Sequence, residues 1–386
     1  MILRPVDIAG VGTLTAAGAG LEALWDALIA LEPLARPVTR YDTDGLTTRC
    51  AALLDDSTTR RLATRWPGLD LPARMALDCV EQATRTVTLQ PTAALFVGTS
   101  LGSVGSWEPW HRALVGGERS VPPAVATHDD TAEVIARELG LRGPVVTVST
   151  ACTSSTTALI QAADAIRLGE CDQAVVVGVD AIGRFVHAGF ESLGALSPEE
   201  LPPAPFAGDR AGLWLGDGAA AVILSRDAGG LGRLLGGGIA ADGVHMTATD
   251  RAAGGLLRAA RRALFEAGVS PAEVAWVSAH ATSTRFNDGT EAVGLRGLFP
   301  DGMPPVHCAK PVIGHTLGAC GLVEVAIVLE ALRRRVRPPT YAPRPLDPSL
   351  GAIPLDRAEA PLMGRRALSL NAAMGGHNTA VLLEGA

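Results

Sequence analysis

One cysteine of this chain stands in an unusual setting, "VSTACTSSTTALIQAADAIRLGE". Cys152 has small hydroxylated neighbours on both sides. An apolar, strand-like run precedes it (144–150) and a helical pattern follows. The first turn of a helix offers unpaired N–H groups and a partial positive charge, and both favour a thiolate. A strand–turn–helix step is also how a nucleophile is raised out of a sheet. The plainer alternative is a small buried cysteine near a helix cap. Two histidines in the second half of the chain weigh against that alternative. "VSAHATSTRFNDGTE" puts His280 at the end of an apolar strand, and "HCAKPVIGHTLGACGLVE" puts His315 in a Gly-bounded turn before a helix. A third turn, "NAAMGGHNTAVLL", carries Gly375 and Gly376 into a last strand. Strand ends are where α/β folds gather reactive groups, and a thiol with two imidazoles suits covalent acyl chemistry. Lys310 is the only lysine among 33 basic residues, which singles out its position.

The rest of the chain must hold these groups in place. With 386 residues, 47% of them hydrophobic and 19% charged, it can bury a sizeable core, as one large domain or two fused halves. A net charge of −7 argues against general nucleic-acid binding. No stretch is long and apolar enough for a membrane span. The start, "MILRPVDIAGVGTLTAAG", has no signal-peptide pattern, so the chain reads as cytoplasmic. Cys50, Cys79, Cys152, Cys171, Cys308 and Cys320 form no CxxC pair, so neither a disulfide framework nor a metal site is expected.

Apolar, β-branched runs alternate with Ala/Leu-rich helical patterns. Strands are expected over 93–100, 144–150, 173–182 and 219–225, with a helix after Cys152. The rhythm restarts near 231. A strand is followed by an amphipathic helix that ends at Gly268 and Pro271, then a strand over 274–280, the helix of "LVEVAIVLEALRRR", and two closing strands. The pattern predicts an α/β protein of two similar halves, residues 1–230 and 231–386, with 184–212 as an irregular insertion.

With these residues in view, the sequence resembles the β-ketoacyl synthase family of condensing enzymes. "STACTSS" is similar to its nucleophile motif. "HATSTRFND" and "KPVIGHTLGACGLVE" are similar to its two histidine motifs, "MGGHN" to its Gly-Phe-Gly-Gly-x-Asn loop, and "PFAGDRAGLWLGDGAAAVIL" to its Pro-Phe-Asp … Arg-x-Gly segment. The resemblance spans nearly the whole chain with the motifs in the family's order. It implies the thiolase fold, two similar α/β halves in a layered α-β-α-β-α arrangement.

It also implies a Cys152–His280–His315 triad, with Lys310 and Glu324 as the family's active-site lysine and helix carboxylate. Asp288 and Glu291 become the acidic residues after the first histidine motif. The implied reaction is a decarboxylative Claisen condensation. Cys152 takes an acyl group from a thioester, a malonyl thioester loses CO2, and the resulting enolate attacks the acyl carbonyl. The N–H groups of Cys152 and Met374 would form the oxyanion hole, the second brought close by the Gly375–Gly376 turn. No cofactor is implied, since substrates ride on the phosphopantetheine of an acyl carrier protein. The partner expected beside the carrier is a second copy or a chain-length-factor-like subunit. Exposed arginines among Arg60, Arg61, Arg65, Arg258, Arg261 and Arg262 are candidates for docking an acidic carrier.

The chain departs from the family at Ala281, Ser283, Asp217, Ala372 and Ala373, and at Met374, which replaces the loop's Phe. Met is thinner and more adaptable than Phe, which predicts a differently shaped, more open acyl entrance. Competing readings are a thiolase-fold acyltransferase that skips decarboxylation and a non-elongating partner subunit. The intact cysteine and the histidine at 315, in place of an asparagine, favour an elongating enzyme in fatty-acid or polyketide synthesis.

Overall fold

The computed structural model describes residues 2–119, 127–245 and 249–386. The first half contributes β1 (Val6–Thr15), β2 (Ala94–Gly98), β3 (Val145–Val148), β4 (Gln173–Asp180) and β5 (Gly218–Ser225), in the order β3-β2-β4-β5-β1. The second contributes β6 (Gly232–Ala241), β7 (Trp276–Ser278), β8 (Val306–His307), β9 (Arg366–Ala372) and β10 (His377–Gly385), in the order β8-β7-β9-β10-β6. Both halves have the same strand order and the same directions. The third, second and fourth strands run parallel, and the fifth and first pair antiparallel. The halves join edge to edge where Val6 faces Leu234, Asp7 faces Arg233 and Ile8 faces Gly232.

Six helices concern the site: α1 (Leu71–Ala83), α2 (Ser154–Leu168), α3 (Gly254–Ala267), α4 (Arg285–Leu298), α5 (Lys310–Ile313) and α6 (Cys320–Arg334). The alternation of side chains along each strand sorts them into layers. Val175, Val177 and Val179 of β4 face α1, where Met75, Cys79 and Val80 pack. Ala174 and Val176 face the other way, onto a central core that also holds Leu159 and Ile166 of α2, Leu322 and Ile327 of α6, and Val381 and Leu383 of β10. Leu368, Leu370, Ala380 and Leu382 point outward onto Leu256, Ala260 and Leu264 of α3. The result is the α-β-α-β-α arrangement, with α2 and α6 in the middle layer. Every residue of α6 from Cys320 to Leu332 is buried, as a helix apolar all round requires. Each fully buried leucine there contributes about 2 kcal/mol.

Two elements differ from the sequence reading. "VDIAGVGTLT" forms β1, the strand that joins the halves, where the sequence pattern predicts none, because Gly10 and Gly12 dilute it. The segment 184–212 is not irregular throughout, because Arg184–Ser192 is helical. The Glu108 carboxylate accepts from the N–H groups of Arg184 (3.2 Å) and Phe185 (2.5 Å) at that helix's N-terminus. A cap supplied from so far away leaves no local signal.

Candidate active site

The chain turns sharply between β3 and α2. Ala151 sits at φ 52°, a left-handed conformation that costs a non-glycine residue about 1–2 kcal/mol. The surrounding hydroxyls hold this turn. Ser154 Oγ donates to Ala151 O (2.6 Å) and accepts from Thr150 N (2.9 Å), and Thr153 Oγ1 donates to Thr150 O (2.6 Å). Cys152 is thereby presented just before the N-cap Thr153, 8% exposed. Three further left-handed non-glycine residues flank the histidines: Ala281 (φ 39°), Ser283 (φ 62°) and Leu317 (φ 48°). Such strain concentrates where side chains are aimed for function.

The two histidines converge on the thiol from the second half. His315 is clamped by its own backbone, its N–H on Trp214 O (2.7 Å) and its carbonyl accepting from Gly216 N (3.0 Å). Its Nε2 lies 3.1 Å from Cys152 Sγ. His280 follows β7, and its ring meets that of His315 edge-on with centroids 5.4 Å apart. Glu291 of α4 fixes this turn by accepting from the N–H groups of His280 and Ala281, both at 2.7 Å. Asp288 does the same one step further out, accepting from Ser283 N (3.1 Å) and Phe206 N (2.8 Å) beside Arg210. Neither carboxylate reaches the thiol; both shape the loop that carries His280.

Lys310, at the start of α5, is buried and ion-paired with Glu324 of α6. Asn371 of β9 donates to the second oxygen of Glu324 (2.6 Å) and accepts from Thr156 Oγ1 of α2 (2.6 Å). The helix α2 that follows Cys152 is thus tied to the lysine–glutamate pair through one buried amide. Asp180, at the end of β4, accepts from Thr99 Oγ1 and from the N–H groups of Ser100, Leu101 and Gly318, locking the β2 and α6 turns together. Half-buried His377 lies with Nδ1 2.9 Å from Thr153 Oγ1. Asn371, Asp180 and His377 were not singled out from the sequence. Asp180 alone left a trace, an acidic residue closing an otherwise apolar strand.

Burial governs the titration of the site. It lowers both His280 and His315 well below the usual imidazole range, and the Lys310 ammonium adds to this, so both rings are neutral. Burial also pushes the Cys152 thiol up to about 12, against the pull of Lys310. This opposes the pull toward a thiolate expected from a helix N-terminus. α2 begins only at Ser154, and desolvation of the sulfur is the largest cause of the rise. For Lys310, burial works against the charge, yet the adjoining Glu324 carboxylate leaves the ammonium above its ordinary value. Burial raises Glu291 to about 7 and Asp288 to about 6, opposed by the N–H groups that they accept.

Cys152, His280 and His315 open onto a cavity of about 700 Å³, walled by Phe190, Leu193, Thr282, Thr284, Phe286 and Met374 among others. Met374 is 45% exposed. It stands in the turn closed by Gly376 N on Ala373 O (3.0 Å), whose two glycines adopt φ 89° and 76°.

The family models agree with this architecture. The one described as "Beta-ketoacyl synthase, N-terminal domain" matches residues 3–229, and "Beta-ketoacyl synthase, C-terminal domain" matches 231–342. The chain belongs to the β-ketoacyl synthase family. These ketosynthases are condensing enzymes of the acyltransferase class, acting in fatty-acid or polyketide synthesis. A putative polyketide beta-ketoacyl synthase 1 of Streptomyces cyaneus is 30% identical over 99% of this chain and 98% of its own. The 3-oxoacyl-[acyl-carrier-protein] synthase 2 of Coxiella burnetii is 29% identical over 87% of this chain and 88% of its own. Among solved structures, the ishigamide ketosynthase/chain length factor superposes with a TM-score of 0.90 at 27% identity over the whole of both chains. A ketosynthase in complex with its chain length factor from Xenorhabdus doucetiae superposes with a TM-score of 0.87 at 28% identity, covering 99% of this chain and 98% of that one.

The arginines considered for docking do not form one patch on this ketosynthase. Arg60, Arg61 and Arg65 lie on a helix (Asp56–Arg65) against α1, and Arg258, Arg261 and Arg262 lie on α3, in the opposite outer layer. Arg61, Arg65 and Arg262 are already paired with Asp78, Glu81 and Glu266. No helix among the described residues is long and apolar enough to cross a membrane.

Proposed function

We propose that this chain elongates an acyl group held on Cys152, using a malonyl group delivered by an acyl carrier protein. The observation that carries the reading is the approach of His315 Nε2 to Cys152 Sγ at 3.1 Å, with the His280 ring beside it. In the first step Cys152 Sγ bonds to the acyl carbonyl carbon. The carrier's sulfur leaves and takes the thiol proton. The N–H groups of Cys152 and Met374 stabilise the tetrahedral oxyanion. In the second step malonyl loses CO2, and the enolate charge gathers on its thioester oxygen. The neutral rings of His280 and His315 donate to that oxygen, and removing either donor costs about 3–4 kcal/mol in barrier. The enolate carbon then bonds to the acyl carbon, the acyl–sulfur bond breaks, and Sγ leaves as a thiolate that takes one proton from solvent.

Lys310 acts through charge, held by Glu324, rather than as a nucleophile. Gly375 and Gly376 keep the loop of Met374 close to the thiol. Asp288 and Glu291 hold the His280 turn. The site needs no metal or redox cofactor for this sequence of steps. The working unit is a dimer of two copies or a pair with a chain-length-factor-like subunit, in the cytoplasm, with the halves 1–230 and 231–386 as its two domains.

Mass spectrometry of protein and carrier after mixing with acyl- and malonyl-carriers tests the reading. The expected result is acylated Cys152 and a carrier-bound β-ketoacyl product, both absent in Cys152→Ala. Acylation with no malonyl consumed would instead identify an acyltransferase. No acylation from any donor would identify a partner subunit.

A further inference from the structure

The turn that carries Met374 has little of its own to hold it. Between β9 and β10 it reads Ala373-Met374-Gly375-Gly376, and both glycines lie in the left-handed region. Its backbone is closed by Ala373 N–H on His377 O (2.8 Å) and Gly376 N–H on Ala373 O (3.0 Å). Asn378 draws this turn toward β6, its amide donating to Asp242 Oδ1 (2.9 Å) and to Gly376 O (3.0 Å). His377 draws it the other way, toward the nucleophile, with Nδ1 2.9 Å from Oγ1 of Thr153, the residue after Cys152. We propose that His377 is a positioning residue: by bridging the two turns it sets the spacing of the two oxyanion donors, the N–H groups of Cys152 and Met374.

The hydrogens available fix the direction of this bond. Thr153 Oγ1 has one hydrogen and gives it to Thr150 O at 2.6 Å. Its lone pairs are left to accept, so the ring must carry a proton on Nδ1. Burial lowers the His377 imidazole below its ordinary range, so near neutral pH the ring is uncharged and Nδ1–H is its only N–H. The bond therefore runs from the Met374 turn to a hydroxyl that itself clamps the Cys152 turn. Among the described residues, neither the Cys152 N–H nor the Met374 N–H donates to a backbone oxygen, so both can meet a substrate oxygen. Such donors work only when each lies about 2.7–3.1 Å from the place where the oxyanion forms. One sits ahead of α2 in the first half, and the other sits in the last hairpin of the second. Nothing in the local fold of either segment fixes their separation. The His377–Thr153 bond joins them across 224 positions of sequence. Without it the Met374 turn would be left hinged on two glycines, the residues with the most backbone freedom.

The inference rests on the acylation step proposed above, and its test compares two reactions at Cys152. Acylation by an acyl-carrier thioester passes through an oxyanion. Alkylation by iodoacetamide does not: the Sγ–C bond forms as the C–I bond breaks, iodide leaves, and the thiol proton goes to solvent. His377→Ala should slow single-turnover acylation on the order of 10- to 100-fold, as a displaced donor does. In steady state it should lower kcat and kcat/KM together, with KM for the acyl carrier unchanged, because the oxyanion exists only near the transition state. Alkylation should stay within about twofold of the wild-type rate, since it follows the thiol alone. His377→Asn, which places an amide N–H where Nδ1–H stood, should restore most of the acylation rate. Equal slowing of both reactions would overturn the role, because it would mean that the thiol or the fold was disturbed. An Asn variant as slow as the Ala variant would overturn it too, as would an Ala variant that acylates at the wild-type rate. A wild type that takes no acyl group from any carrier would count against the condensing reading alone. The same comparison then runs with p-nitrophenyl acetate, whose attack by Sγ forms an oxyanion at the same place and expels p-nitrophenolate. A wild type that this ester cannot acylate would overturn the positioning role as well.

Discussion

At the scale of single residues, the site is a buried thiol beside two neutral imidazoles. Because burial holds the Cys152 thiol near 12, the thiolate is a small fraction at neutral pH. Alkylation of Cys152 by iodoacetamide should then accelerate about tenfold per pH unit from pH 7 to 9. A plateau below pH 8 would mean that a thiolate–imidazolium pair already exists at rest, and that the neutral-pair description is wrong. Met374 sets a second residue-scale expectation. Nearly half of its surface is open at the cavity wall. Met374→Phe should narrow the entrance and shift acyl preference toward shorter or slimmer chains; an acyl-chain profile that does not move would remove Met374 from any gating role.

At the scale of elements, the reactive geometry depends on how closely α2 and α6 lie against the sheets. Gly98 closes β2 directly under α2. A Cβ there would stand 2.5 Å from the Cα and N of Ser155. No side-chain movement can relieve a clash with backbone, so α2 itself would have to move. Gly98→Ala should cost about 1–3 kcal/mol of stability, and Cys152 acylation should slow by more than the lost folded fraction explains. Parallel thermal melts and single-turnover acylation would separate the two effects. Asp180 does the complementary work, since its carboxylate joins the Ser100–Leu101 turn to Gly318. Asp180→Ala leaves the buried Gly318 N–H and the part-buried N–H groups of Ser100 and Leu101 without their acceptor, and a buried one left unpaired costs roughly 1–3 kcal/mol. Its melting temperature should fall further than that of Gly98→Ala.

At the scale of the whole molecule, two copies of one strand order meet along β1 and β6, and among the described residues the outer strand β3 lies at the sheet's edge with Val145 exposed at 42%. An open edge with an apolar residue is a place for further strand pairing. Under the dimer proposed above, light scattering of the purified chain should give twice the mass of one chain, and Val145→Lys should lower it toward one. A monomer that becomes active only when a second, different subunit is added would favour the heterodimer.

Much of this was legible in the residues themselves. The strands β2, β4 and β5 are mostly apolar runs because both faces are covered, and α6 is apolar all round because it lies between two sheets. The thiol, both histidines and the single lysine were visible because each stands out by type in a small-residue turn. What the sequence did not carry is whatever arises between distant segments. The strand β1 was diluted by its own glycines. The helix Arg184–Ser192 is capped by Glu108 from another element. The low-polarity environment that keeps Cys152 a thiol comes from the packing of both halves around it, not from the helix it precedes. Asn371, Asp180 and His377 matter through atoms that meet them across α2, β4, β9, β10 and α6. Chain order states which groups exist and which lie at strand ends. Distance, desolvation and the partner of each buried polar atom are properties of the packed interior, and only the tertiary structure decided them.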